Sequence, residues 1–148
     1  MKANLLRIIG LISLLTLTGC VTYETHEHPY FPQAVADKGL LYFYRLDTHP
    51  ERDSECYISR NHVIVGRVFA RSYTFVLSDP GLFMFRVVYG AGNMCRFQVE
   101  AGEVYFFRID QKPIWGGFMG YHQYFVPVTE EEAMTNMQAL TYISMERK

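Results

Sequence analysis

The segment Gly39-Leu-Leu-Tyr-Phe-Tyr-Arg-Leu46 is the clearest β-strand in this sequence and decides the class of fold. Leu41 and Phe43 fall on one face of that strand, because side chains alternate along an extended chain. Tyr42 and Tyr44 fall on the other face, so both faces are largely apolar. We therefore expect a central strand that the rest of the domain covers on both sides.

Further strand patterns follow this segment, with turn residues between them. The predicted strands span residues 55–60, 63–69, 72–77, 82–89, 94–100 and 103–110. Asn61-His62, Asp79-Pro80-Gly81, Gly90-Ala-Gly-Asn93 and Ala101-Gly102 supply turns. Short strands at a spacing of about eight to twelve residues are typical of a β-sandwich or a barrel. The sequence thus predicts a mainly β fold over residues 39–126, which we expect to be a single antiparallel β-sandwich.

Residues 127–148 have the pattern of a C-terminal α-helix. Thr129-Glu-Glu-Glu132 matches a capping box, in which the first and last side chains bond free backbone amides of the first turn. Ala133, Met137 and Leu140 then recur at helical spacing. We expect this stripe to pack on the sheet. The alternative is a helix that docks in the groove of a partner.

The N-terminal residues have the layout of a secretory signal. Lys2 and Arg7 are followed by the apolar run Ile8–Leu17 and then by small residues. The run has about ten residues, whereas a helix needs about twenty to cross a bilayer. Leu17-Thr-Gly-Cys20 resembles the lipobox of bacterial lipoproteins, whose cysteine becomes the lipidated first residue of the mature chain.

The leader pattern predicts a helical signal peptide over residues 1–19, and the lipobox resemblance implies lipid attachment at Cys20. The largely polar segment that follows contains Pro29 and Pro32 and has no sustained period, so we expect a lipidated tether over residues 20–38. Each buried CH₂ contributes about 0.8 kcal/mol, so several acyl chains on one cysteine would hold the protein firmly in the membrane. Val21 follows the cysteine, where an Asp would favour retention in the inner membrane of enteric-type bacteria. We expect a protein of the bacterial cell envelope, anchored in the outer membrane and facing the periplasm.

Without the leader, 129 residues remain, enough for one domain with a single core. Lys2 and Arg7 leave with the leader, so 12 of the 14 basic residues remain against 15 acidic residues, a net charge near −3. Nucleic-acid-binding domains carry a basic surplus instead. We therefore expect no nucleic-acid partner.

Cys56 and Cys95 are the two cysteines that lipidation would leave. An even pair in an oxidising compartment indicates a structural disulfide. Such a bond would close a loop of about forty residues and contribute about 3–4 kcal/mol in the chain-entropy model. The alternative is a reactive or metal-binding thiol pair, which no Cys-x-x-Cys spacing supports.

The segment 111–125 mixes glycines with aromatic residues. One interpretation is a glycine-hinged loop that binds a partner, with Trp115, Phe118 and Tyr121 as the candidate contacts, because aromatic residues are enriched at interface hot spots. The other interpretation, which we favour, is a loop followed by a last strand over residues 118–126.

Catalytic and metal-binding signatures are not found in the sequence. No G-x-S-x-G motif occurs, and the five histidines form no recognisable cluster, His26-x-His28 included. Arg45, Arg86 and Arg108 lie in otherwise apolar strands and could line an anion site, although edge exposure is the commoner explanation. We expect no catalytic residue, no cofactor and no metal.

Residues 38–110 resemble a group of uncharacterised bacterial lipoproteins built as small β-sandwich envelope domains. The resemblance rests on Gly39-Leu-Leu-Tyr-Phe-Tyr-Arg45, on Ile58 with Val65-Gly66, on Ser78-Asp-Pro-Gly81 and on Ala101-Gly-Glu-Val-Tyr-Phe106. Its layout is similar to PEGA-type and transthyretin-like domains, and this likeness implies a sandwich of the transthyretin or immunoglobulin type. These motifs form turns, and the family has no catalytic residues to transfer, so the resemblance implies a fold and no activity.

The function predicted from the sequence is a structural or protein-interaction module of the envelope, anchored through Cys20 and in contact with an envelope protein. An accessory lipoprotein of a secretion machine is one alternative, because such components share transthyretin-like sandwiches. A module that binds a small ligand or a carbohydrate is another, with Trp115 and nearby tyrosines as its surface. An enzyme is the least supported class.

Overall fold

A computed structural model describes residues 30–46, 55–88, 94–114 and 121–144, together with the backbone of residues 25–26. These residues form ten strands and one helix. The elements are β1 (Thr25–His26), β2 (Gly39–Arg45), β3 (Cys56–Arg60), β4 (Val63–Val68), β5 (Ser72–Ser78), β6 (Gly81–Val87), β7 (Met94–Val99), β8 (Val104–Pro113), β9 (Tyr121–Pro127), α1 (Glu130–Met137) and β10 (Thr141–Ile143). The predicted signal peptide and Cys20 lie outside the described residues.

The strands form two sheets, so the mainly β, two-sheet architecture is as predicted. Sheet A has the strand order β1-β10-β5-β2-β8-β9, and sheet B has the order β4-β3-β6-β7. The prediction that all strands are antiparallel is wrong, because β2 pairs in parallel with β8, and β5 pairs in parallel with β10. Parallel neighbours need a crossover, which local turn patterns do not reveal. For β2 and β8, the excursion of the chain through sheet B supplies that crossover.

Strand β2 is central and is buried along its whole length, as its two apolar faces predict. Leu41 and Phe43 face sheet B in a core between the sheets, where they meet residues of β3, β6 and β8 such as Ile58, Phe85 and Phe107. The opposite face of β2 belongs to a second core, which also contains the helix and β10. The domain therefore has three layers: sheet B, sheet A, and a cover over the outer face of sheet A.

Helix α1 is part of that cover and begins as predicted. The Thr129 hydroxyl accepts a hydrogen bond from the Glu132 amide at 3.2 Å, and Ala133 and Met137 are fully buried. The helix ends at Met137, however, so the prediction of a longer helix is wrong. The chain turns at Leu140 and forms β10, which pairs with the edge of β5. This pairing satisfies backbone amide and carbonyl groups of β5 that would lack a partner if the helix continued.

The N-terminal segment also packs on sheet A, although we expected a free tether over residues 20–38. The hydroxyl of Tyr73 accepts a hydrogen bond from the Tyr30 amide at 2.6 Å and donates to the Tyr30 carbonyl at 3.1 Å. The hydroxyl of Tyr42 donates to the Pro32 carbonyl at 3.1 Å. The ring of Phe31 stacks on Tyr73 with 5.4 Å between ring centroids. Residues 30–32, which we call the strap, are therefore part of the domain.

Two predicted turns are confirmed by their backbone angles. Asn61 and His62 both have positive φ, at 46° and 71°, which suits the tight turn of the β3–β4 hairpin. Asp79-Pro80 joins β5 to β6, and Gly81 follows with a φ of 148°. This second turn carries the chain from sheet A to sheet B.

No helix among the described residues is both long enough and apolar enough to span a bilayer.

We predict that Gly39→Ala destabilises the domain by about 1–3 kcal/mol, because the packed interior has no room for the added carbon. A Cβ at this position would lie 2.3 Å from Val99 Cγ1 and 2.9 Å from the carbonyl oxygen of Glu100. Urea unfolding followed by circular dichroism measures the loss. Gly66→Ala is the matched comparison, since its nearest neighbours are side-chain carbons at 3.2 Å. An equal or larger loss at Gly66 would contradict the prediction.

We predict that Tyr73→Phe lowers the free energy of unfolding by about 1–3 kcal/mol, because it leaves the Tyr30 amide and carbonyl without their partner. Tyr124→Phe is the control, because the Tyr124 hydroxyl makes no hydrogen bond to the described residues. Equal stability of the two variants in chemical denaturation would show that the two hydrogen bonds of the Tyr73 hydroxyl contribute nothing.

Candidate functional site

The residues predicted to contact a partner are only partly described. Trp115 and Phe118 lie outside the described residues. Tyr121 is the first residue of β9, where it pairs with Pro113 and is half-buried. The described part of the last strand therefore begins at Tyr121, within the predicted span of 118–126. The aromatic loop stays a prediction.

The predicted disulfide between Cys56 and Cys95 is not formed, and both residues are free cysteines. Cys56 begins β3, whereas Cys95 pairs with Phe85 across β6 and β7. Because β6 lies between β3 and β7, the two cysteines are two strand spacings and about four residues apart, or about 16 Å. A disulfide needs Cα atoms within about 7 Å, so this register excludes the bond.

Cys56 lies in a buried polar cluster at one end of the sandwich. Arg45 Nη1 donates to Cys56 Sγ at 3.4 Å, and the side-chain amides of Gln111 and Gln123 also favour the thiolate. Burial raises the pKa of the Cys56 thiol, and the arginine and the two amides oppose that rise only in part. Because the thiolate is the nucleophilic form, Cys56 is a shielded thiol and a poor nucleophile.

The two glutamines of this cluster have incomplete hydrogen bonding. Gln123 is only 3% exposed, and the Oε1 atoms of both Gln111 and Gln123 are buried without a partner in the described structure. Buried amide oxygens normally accept a hydrogen bond from protein or from ordered water.

The three strand arginines do not form one anion site. Arg45 is buried beside Cys56, and Arg86 is exposed on sheet B. Arg108 bonds Asp110 at 2.7 Å and Glu132 at 2.5 Å, which raises the pKa of its guanidinium and ties β8 to α1. Each arginine therefore has a separate local role, and the anion-site hypothesis is wrong.

An aromatic groove of about 210 Å³ opens on one side of the sandwich. It lies at the first residues of β8, with the end of β9 and the start of α1 on one side and Phe97 of β7 on the other. Its lining residues are Phe97, Val104, Tyr105, Phe106, Phe107, Pro127, Val128 and Glu130. The groove exists because β9 pairs with β8 only from Phe107 onward, so the start of β8 lacks a neighbour on that side. Phe97 packs edge-on against Tyr105 and Phe107, at 4.6 and 5.1 Å between ring centroids.

The groove is bordered by a free strand edge. Among the described strands, β7 pairs only with β6. The backbone amide and carbonyl of Met84 bond Asn61, on the β3 side of β6. The backbone amides and carbonyls of the even-numbered residues of β6 therefore point away from β7. The odd-numbered residues of β6 and β7 therefore form the hydrogen-bonded pairs between these two strands. The amide and carbonyl groups of Met94, Arg96 and Gln98 consequently point outward.

Sheet B also has an uncovered outer face. The cross-strand pairs Leu82–Gln98, Met84–Arg96 and Arg86–Met94 lie on it. Leu82 and Met94 are 63% and 55% exposed, and neither Arg86 nor Arg96 forms an ion pair within the described residues. Methionine and arginine are enriched at protein interfaces. The β7 edge, the groove and this face are contiguous, and we call them together the β7 surface.

Sequence reasoning missed the β7 surface. The alternation of Met94, Arg96 and Gln98 with Cys95, Phe97 and Val99 was visible and predicts one solvated face. The edge position was not visible, because it depends on which distant strands pair.

Comparisons with protein-family models, with curated proteins and with solved structures find no match for this chain. Within the described ranges, no group of three or more His, Cys, Asp or Glu residues is arranged to hold a metal ion. The candidate site is therefore described by its geometry alone.

We predict that N-ethylmaleimide modifies both Cys56 and Cys95 in denaturant without reductant, because no disulfide links them. In the native protein Cys56 should be protected, while Cys95 should react faster because it is only half-buried. Peptide mass spectrometry reads both sites. If Cys56 and Cys95 were labelled only after reduction, the disulfide between them would exist after all. Rapid labelling of Cys56 in the native protein would contradict its burial.

Proposed function

We propose that this protein is a membrane-anchored envelope lipoprotein that acts as a structural or protein-interaction module and has no catalytic activity. The observation that supports a contact role is the asymmetric cover of the sandwich. The strap and α1 cover the outer face of sheet A, whereas the β7 surface has exposed apolar side chains, arginines with no ion pair among the described residues, and backbone groups that no described strand pairs. Free edges and exposed apolar patches are features of binding surfaces.

The anchor in this proposal is Cys20, which the lipobox pattern supports. The described domain begins close behind it, since β1 starts at Thr25. A chain of five residues spans at most about 18 Å, so a lipidated Cys20 would hold the domain near the membrane surface. An envelope protein in the outer membrane, or close to it, is then the expected partner.

A carbohydrate or small-ligand module has weaker support. Ligand pockets usually enclose about 300–1,000 Å³. The groove beside β7 has about 210 Å³ and is open. Its aromatic rings pack against one another at the edges instead of presenting a flat face for stacking. The groove thus fits a few side chains of a protein better than a separate ligand.

We predict that Cys20→Ala releases the protein from the membrane fraction of bacterial cells, because the variant has no thiol to acylate. Cys95→Ala is the matched control and should stay in the membrane fraction. Membrane fractionation with metabolic labelling by a fatty acid measures both effects. Wild-type-like fractionation and labelling of the Cys20→Ala variant would show that the anchor is elsewhere.

The interaction role is tested by photo-crosslinking in cells. A photoreactive residue at Gln98 should capture one reproducible envelope protein, which the same residue at Glu131, an exposed position on α1, does not capture. Capture of the same abundant envelope proteins from both positions, at equal yield, would count against an interaction module that uses the β7 surface.

A further inference from the structure

We propose that the β7 surface binds one extended segment of a partner protein by strand addition, and that this segment alternates apolar and acidic residues. The proposal rests on the interaction role above and names the chemistry of the partner. Its three supports are the backbone groups of the β7 edge, the aromatic groove below that edge, and the free arginine beside it.

The edge supplies the main-chain contacts. The outward amides and carbonyls belong to three alternate residues, Met94, Arg96 and Gln98, which matches the hydrogen-bonding repeat of a β-ladder. A strand added there would pair with these outward groups, while β6 keeps its bonds to the intervening residues on the other side of β7. Strand addition of this kind obtains affinity from the backbone and specificity from alternate side chains.

The groove selects apolar residues. Side chains of an added strand alternate between the two faces of sheet B, as those of β7 do. Those on the inner face lie level with Phe97 and enter the groove beside Val104 and Tyr105. Val104 lies on the open edge of β8, and its own backbone groups point into the groove, because Phe106 on the same side bonds Val128. Aliphatic side chains of two alternate residues fit this space.

The charge selects acidic residues on the other face. A residue directly opposite Arg96 has its side chain on the outer face, about 5 Å from that of Arg96. The exposed guanidinium of Arg96 has no ion pair in the described structure, and that of Arg86 lies one strand further in. A carboxylate at this place would form a charge-assisted hydrogen bond, which arginine can make in bidentate form.

A second copy of this chain fits the edge less well. Two-fold antiparallel pairing of two β7 strands about Arg96 would place the two guanidinium groups opposite each other. Like charges directly opposite destabilise a strand pair. This register of a second copy is therefore disfavoured, and the proposal takes as the occupant a different protein, whose segment has an acidic residue opposite Arg96.

The test uses the full chain in nanodiscs of phosphatidylcholine, a net-neutral lipid, and short fluorescein-labelled peptides. In one peptide Val and Glu alternate; in the control peptide Val and Lys alternate. We expect saturable binding of the Val–Glu peptide in fluorescence anisotropy. Arg96→Glu should weaken that binding about tenfold, the loss expected for a hydrogen bond to a charged group, and should shift the preference to the Val–Lys peptide.

Gln98→Pro tests the backbone contact separately. Proline removes an amide that points outward and leaves the pairing with β6 intact, because residue 98 does not bond β6. This variant should abolish peptide binding while it keeps the wild-type unfolding midpoint. Gln98→Thr is the control and should bind normally.

Several outcomes would overturn the proposal. They are no binding of the Val–Glu peptide, equal binding of both peptides, no shift in preference with Arg96→Glu, and wild-type binding by Gln98→Pro. A concentration-dependent dimer that Gln98→Pro abolishes would make a second copy the occupant and would also overturn it. Any of these results could be accompanied by release of Cys20→Ala from the membrane and by specific photo-crosslinking of an envelope protein from another face of the domain. In that case strand addition alone would be wrong, and the proposed envelope role would remain.

Discussion

The burial of β2 on both faces is the constraint on which the rest of the structure depends. Each of its seven residues is buried, and none of the residues between Leu40 and Tyr44 is more than 2% exposed. One sheet packed on one side cannot cover such a strand. Sheet B covers its inner face, and the strap and α1 cover its outer face. The hydroxyls of Tyr42, Tyr44 and Tyr73 reach polar partners at the rim of the outer core, so their rings can be buried without an unpaired oxygen.

The same cover explains why the two sheets differ toward solvent. The outer face of sheet A is buried in the second core, whereas no layer covers the outer face of sheet B in the described structure. Leu82, Met94 and the unpaired Arg86 and Arg96 therefore remain exposed. β7 also has one free edge, because β6 is its only neighbour among the described strands of sheet B. The groove lies open because β9 pairs with β8 only from Phe107 onward. The candidate contact surface is thus a consequence of where the third layer was placed.

The free cysteines show how a compositional rule can fail. Two cysteines form a disulfide only if the fold brings them together, and the register of β3, β6 and β7 keeps Cys56 and Cys95 apart. Cys56 instead lies against Arg45 in a buried cluster, where a raised thiol pKa keeps the sulfur protonated. The predicted pairing missed this because strand order is a long-range property.

The sequence by itself determined the local structure of this protein. Alternation in Gly39–Arg45, the turn at Asn61-His62 and the cap at Thr129 depend on residues within a few positions of one another, and their energetics are local. Only the tertiary structure decided the parallel pairing of β2 with β8, the strap over Tyr73, the separation of the cysteines and the free edge of β7. Each of these depends on which distant segments meet. That choice is made by burial summed over the whole domain, and no short stretch of sequence contains it.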